Sequence, residues 1–112
     1  MPRVLLGVFG AVARLGLREL LEEEGFEVVS EEHSPQRILP RLKEDSLDVV
    51  ILDLDSEESL ELADRIAALS PSINVIACSS ERSTMRIFPP FHDGESYLTE
   101  LSKTELVAAV RR

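Results

Sequence analysis

The segment Asp48-Val-Val-Ile-Leu-Asp53 decides the fold. Between its two acids stand four apolar residues, and three of them are β-branched, which favours a strand buried on both faces. Strands of this kind are typical of parallel sheets that carry helices on both sides. The segment therefore predicts further short strands elsewhere in the chain, joined by helices.

Short apolar runs alternate with amphipathic stretches on both sides of this segment. Further strands are predicted at Val4–Val8, Phe26–Val29, Ile73–Cys78 and Ser96–Leu98. Helices are predicted between the strands, and the first of them, Ala11–Glu24, has apolar residues at helical spacing and a stop at Gly25. A βα unit repeated five times predicts an α/β, flavodoxin-like, doubly wound fold with a five-stranded parallel sheet in the order 2-1-3-4-5.

Length and composition limit the class of protein. The chain has 112 residues, and its 44% hydrophobic and 29% charged residues are typical of one folded domain, which we place at residues 1–112. No apolar run is long enough for a bilayer span and no secretion signal is recognisable. Cys78 is the only cysteine, which excludes an internal disulfide. These features predict a cytoplasmic protein.

The charge of the chain bears on its partners. The formal net charge is −9, and the basic residues are scattered among acids. Nucleic acid backbones are bound by clustered Lys and Arg side chains, and an acidic field repels them. We therefore predict no nucleic acid binding by this domain, and the shortness of its apolar runs predicts no membrane.

The motifs of the chain, taken in order, resemble a known family. Arg3-Val-Leu-Leu, the strand Asp48–Asp53, Ser96-Tyr97-Leu98 and the closing Glu105-Leu106 are similar to the corresponding segments of bacterial response-regulator receiver domains. The resemblance extends from Arg3 to Val110. It implies a signalling domain that is switched by phosphorylation of an aspartate.

The resemblance also implies which positions would carry that chemistry. In an active receiver, two acids after the first strand and the acceptor aspartate hold Mg²⁺, and a lysine pairs with the phosphoryl group. The acceptor position is Asp53, but the acidic pair falls on Val8 and Phe9, and the lysine position on Glu100. Apolar side chains cannot bind Mg²⁺, which requires oxygen ligands. The family's two switch positions remain, as a hydroxyl at Ser79 and an aromatic side chain at Tyr97.

These departures favour a pseudo-receiver, meaning a protein-interaction module that works without phosphorylation. We expect no enzymatic activity, no cofactor and no metal site, and we interpret Asp53 as vestigial. Two alternatives stay open. One is an atypical receiver that is still phosphorylated on Asp53, and the other is a small cofactor-binding protein of flavodoxin-like fold.

The family's output face comprises the fourth helix, the fifth strand and the fifth helix, and the resemblance places the partner or homodimer surface there. Pro89-Pro90 cannot lie inside a helix, so we expect a short or irregular fourth helix. Such a helix would leave Met85, Phe88 and Phe91 exposed beside Tyr97 as an interaction face. The alternative is that these side chains fold back into the core.

Overall fold

Strands and helices alternate along most of the chain. The computed structural model describes residues 2–7, 9–32, 34–44, 46–79, 81–88 and 95–111. The elements of these residues are β1 (Arg3–Gly7), α1 (Ala11–Glu23), β2 (Glu27–Glu32), α2 (Pro35–Glu44), β3 (Val49–Asp53), α3 (Glu57–Leu69), β4 (Asn74–Ser79), β5 (Thr84–Phe88), β6 (Tyr97–Glu100) and α4 (Lys103–Arg111). No helix of these ranges is both long and apolar enough to cross a bilayer.

The described strands form one six-stranded sheet in the order β2-β1-β3-β4-β5-β6. The pairs β1–β2, β1–β3 and β3–β4 are parallel. The pairs β4–β5 and β5–β6 are antiparallel. The flavodoxin-like α/β class and the positions of the first four strands are therefore confirmed.

The region after β4 departs from the predicted (βα)5 pattern. The fourth helix is replaced by a strand, β5, so the sheet has one strand more than predicted and is mixed rather than all parallel. The physical reason is the alternation of half-buried Thr84 and Arg86 with buried Met85 and Ile87, a period of two that suits a strand and not a helix. Ser83, with φ of 51°, lies in the turn that precedes β5.

Both faces of the sheet are covered, and each face has its own apolar cluster. One cluster lies under α1 and α4 and includes Leu6, Ile51 and Ile76. The other lies under α2 and α3 and includes Leu5, Val50 and Val75. Neighbouring residues of one strand thus enter opposite clusters, as expected for a strand buried on both faces.

The helix ends follow local sequence signals. Gly25 follows α1 with φ of 86°, a conformation that glycine adopts without steric cost. The Oγ atom of Ser102 accepts a hydrogen bond from the N–H of Glu105 before α4. The cap of α3 is Ser56, whose Oγ accepts the N–H of Ser59. Pro40 lies inside α2, which continues to Glu44.

The apolar side chains of β5 belong to the core. Met85 is fully buried in the cluster under α1 and α4, and Phe88, 6% exposed, is buried in the opposite cluster. The prediction that these two side chains form an exposed interaction face is therefore wrong, because a strand directs them into the two clusters. Phe91 lies outside the described residues. Tyr97 is 39% exposed on β6.

Candidate functional site

The carboxyl ends of β3 and β4 bring three polar side chains together. Asp53 is the half-buried last residue of β3, and Ser79 is the buried last residue of β4. Asp55 lies in the loop that follows β3. Ligands of open α/β sheets bind at this edge, so these residues form the candidate site.

Two hydrogen bonds fix Ser79 between neighbouring loops. Its Oγ donates to Oδ1 of Asp55 over 2.7 Å, and it accepts the backbone N–H of Arg82 over 3.1 Å. The bond to Asp55 joins β4 to the loop before α3, and the bond to Arg82 closes the turn before β5. The partner of the predicted switch hydroxyl is therefore Asp55, which has a structural role that the sequence did not reveal.

Asp53 is held in a local turn. Its Oδ1 accepts the backbone N–H of Asp55 over 2.9 Å, and this bond fixes the start of the loop. The next residue, Leu54, donates its N–H to the carbonyl oxygen of Cys78. Burial, together with the negative charge of Asp53, raises the pKa of the Cys78 thiol to about 12. Cys78 is thus a protonated core side chain, and a buried thiol of this kind is unreactive.

The acidic-pair positions do not suit a magnesium ion. Phe9 is 8% exposed and packs in the cluster under α1 and α4, where it supplies no oxygen ligand. Val8 lies outside the described residues. Among the described side chains, no group of three or more His, Cys, Asp or Glu residues could hold a metal ion. The residues present therefore do not fit the Mg²⁺ that the resemblance implies.

The strand order separates the lysine position from the site. In the predicted order the last strand lies beside β4, but β5 stands between β4 and β6. Strands lie about 4.8 Å apart, so β6 is roughly 10 Å from β4 and roughly 14 Å from β3. Across the sheet, Asp53 pairs with Cys78, Cys78 pairs with Met85, and Met85 pairs with Thr99 on β6. Glu100 is exposed in the next row and does not join the site.

The two predicted switch positions are also apart. Ser79 pairs with Thr84, and Thr84 with Glu100, whereas Tyr97 pairs with Ile87 near the other end of β6. The hydroxyl and the aromatic side chain therefore share neither a row nor a pair of neighbouring strands. The side chains of Ser79 and Tyr97 are therefore too far apart for a change at one to act on the other by direct contact.

The family model described as the response regulator receiver domain matches residues 11–110. The chain belongs to the response-regulator receiver family. It is therefore a receiver domain of two-component signalling, as the resemblance implied. Among curated proteins no match is found.

Solved structures share the receiver fold at low identity. The isolated receiver domain of RcsB from Salmonella enterica serovar Typhimurium, with the phosphate mimic BeF₃⁻, has a TM-score of 0.62 at 23% identity over 70% of this chain and 61% of that one. RcsB in a complex with DNA has a TM-score of 0.62 at 23% identity, over 70% of this chain and 42% of that chain.

A mutant of the anti-anti-sigma factor PhyR from Bartonella quintana gives a TM-score of 0.61 at 13% identity, over 70% of this chain and 34% of that chain. The match with this chain thus covers less than two thirds of each of these chains. At such identities the likeness shows the fold alone.

The hydrogen bond between Ser79 and Asp55 leads to a prediction about stability. Replacing Ser79 with alanine removes one donor and one acceptor, and we expect a loss of about 1–2 kcal/mol in the free energy of unfolding. Asp55→Ala should cost a similar amount, and the double variant should cost less than the sum because the two side chains share one bond. Urea unfolding of the four proteins measures this coupling.

Asp55→Asn is the matched control, because its amide oxygen can still accept the Ser79 hydroxyl. We expect it to unfold close to the wild-type midpoint. Strict additivity of Ser79→Ala and Asp55→Ala would show that the two side chains do not interact.

Proposed function

We propose that this domain is a pseudo-receiver, a cytoplasmic, non-catalytic protein-interaction module of signalling or transcriptional control that acts without phosphorylation. The observation that carries the proposal is the position of β5 between β4 and β6. Phosphoryl transfer relies on positive charge placed around the transferred group. Here the lysine position holds Glu100, on a strand roughly 14 Å from β3 by the usual strand spacing.

Two further features support a domain that does not exchange phosphoryl groups. The described side chains around Asp53 supply no cation ligand set, and Phe9 occupies one of the two acidic-pair positions as a core residue. The Ser79 hydroxyl, which the family uses as a switch, is held by Asp55 and by the turn before β5. A phosphoryl group on Asp53 would compete for that hydroxyl with an existing pair of hydrogen bonds.

The proposal places function in surface recognition. The domain is acidic, with a net charge of −9, so we propose that it contacts proteins and not nucleic acid directly. The surface that we propose is the β6 side of the sheet, where Tyr97 and Leu98 are exposed large hydrophobic residues on the last strand.

Treatment with a small acyl phosphate and Mg²⁺, followed by intact-mass measurement, tests the proposal. We expect no phosphoryl adduct, because the described residues around Asp53 supply neither a set of metal ligands nor a neutralising lysine. A receiver with a complete acidic pair, treated in parallel, shows that the reagent is active. An adduct that forms on the wild type and disappears in Asp53→Asn would establish the alternative, an atypical receiver phosphorylated on Asp53.

A further inference from the structure

The outer edge of the sheet at β6 presents backbone groups that can pair with another strand. The N–H of Leu101 donates to the carbonyl oxygen of Ser83 over 2.8 Å. Residues of an antiparallel ladder alternate between facing the partner strand and facing away from it. Tyr97 and Thr99 therefore direct their backbone groups at β5, and Leu98 and Glu100 direct theirs away from it. An edge of this kind is a template for strand addition.

The side chains along this edge are arranged by the register of β5 and β6. Arg86 pairs with Leu98 and Thr84 pairs with Glu100, so Arg86, Leu98 and Glu100 project from the same face. Arg86 also pairs with Ala77, which belongs to the cluster under α2 and α3. The three side chains therefore lie on the face of the sheet that α2 and α3 cover. Leu98 is 57% exposed on it.

The guanidinium group of Arg86 reaches the edge of the sheet. Its Nη1 atom donates to Oγ of Ser96 over 3.1 Å, and Ser96 directly precedes β6. The cation therefore lies beside the outermost strand. No ion pair of Arg86 or Glu100 is found within the described parts of the chain. The edge thus carries a cation and an anion on one face, with an exposed leucine between their positions.

A two-fold axis at Leu98 brings these charges together in pairs. If a second β6 lies antiparallel to the first with Leu98 opposite Leu98, then Ser96 of each copy lies opposite Glu100 of the other. Arg86, already bonded to Ser96, then faces that carboxylate, and symmetry produces the pair twice. An axis at Glu100 would instead place two carboxylates opposite each other, which is unfavourable.

We propose that the domain forms a homodimer by antiparallel pairing of the two β6 strands about Leu98, with reciprocal ion pairs between Arg86 and Glu100. This proposal rests on the proposed function and assigns a second copy as the partner of its β6 surface. Three features meet at this edge: outward backbone groups, an apolar residue at the centre and charges that become complementary only after a two-fold rotation.

The small contact area and the charge of the chain limit the strength of the dimer. One short edge buries less than the roughly 1,600 Å² of a standard interface, so the dimer is weak and forms at high protein concentration. Each chain carries a net charge of −9. Salt screens the long-range repulsion between the copies, and it also weakens the exposed ion pairs, so its two effects on the dimer oppose each other.

Sedimentation equilibrium of charge-reversed variants tests the pairing. We expect Arg86→Glu and Glu100→Arg each to weaken dimerisation roughly tenfold, because each change turns two exposed ion pairs into like-charged pairs. An equimolar mixture of the two variants should form a mixed dimer about as tight as the wild type. In that dimer the two introduced side chains face each other with opposite charges, and the second pair is the native one. Arg37→Glu makes the same change in charge as Arg86→Glu, at an exposed position of α2, and should dimerise as the wild type does.

Hydrogen exchange gives an independent readout. The amide of Leu98 should exchange more slowly as protein concentration rises, whereas the amide of Thr99, already directed at β5, should not respond. If Arg86→Glu does not fold, Leu98→Asp serves in its place, because it puts two carboxylates opposite each other at the axis. A wild type that stays monomeric at every concentration, or a mixture no tighter than its single variants, overturns the dimer. Neither result alters the acyl phosphate experiment, so failure of the dimer is distinguishable from failure of the pseudo-receiver.

Discussion

Phe88→Asp is expected to unfold the domain. Phe88 is 6% exposed, pairs with Val75 across β4 and β5, and packs in the cluster under α2 and α3. Loss of a buried phenylalanine side chain costs about 3–5 kcal/mol, and burial of an unpaired carboxylate adds to this. Domains of this size have a total stability of about 5–15 kcal/mol. Far-UV circular dichroism and urea unfolding at neutral pH measure the loss.

Leu98→Asp, which also introduces an aspartate ten residues later in the chain, is the control. Leu98 is 57% exposed on the edge strand, so Leu98→Asp should change the free energy of unfolding by no more than about 0.5 kcal/mol. The two variants compare a core position before Pro89-Pro90 with a surface position after them. If Phe88→Asp were as stable as Leu98→Asp, Phe88 would have to lie on the surface and β5 could not have the burial described above.

Phe9→Asp, which restores one acid of the family's acidic pair, is expected to destabilise the protein without creating a magnesium site. Phe9 packs in the cluster under α1 and α4 and is 8% exposed. Removing it leaves a cavity, at a cost of about 3–5 kcal/mol, and the new carboxylate is buried in apolar surroundings. Thermal unfolding with and without Mg²⁺ measures both effects.

Phe9→Leu is the matched control for volume and should cost less, because it keeps an apolar side chain at this position. A ligand that binds only the folded state raises its stability. A rise in the melting temperature of Phe9→Asp with Mg²⁺, absent in Phe9→Leu, would therefore show that a single substitution recovers the metal site.

The first two thirds of the fold could be predicted because their signals are local. The strand Asp48–Asp53 is continuous in apolar residues, and the structure buries all but its ends. The end of α1 at Gly25 follows from the backbone freedom of glycine. Each of these signals is contained in a few neighbouring residues and needs no knowledge of the rest of the chain.

The region of β5 was predicted wrongly because the expectation came from the family pattern. The alternation from Thr84 to Ile87 was present in the sequence, and a period of two favours a strand. The sequence could not show that this strand would lie between β4 and β6, since strand order depends on long-range pairing. The separation of Tyr97 and Glu100 from Ser79 depends on that order, and so does most of the functional interpretation.

The turn before β5 also changes how the second half of the sheet is assembled. Parallel neighbouring strands pair only after a long crossover connection has brought them together, which costs chain entropy. The strands β4 and β5 are instead joined by a few residues that include Ser83. Hairpins form on a scale of about 1–10 μs, and contacts between residues close in sequence speed folding. We therefore expect the antiparallel segment from β4 to β5 to form early in folding, before the central parallel strands align.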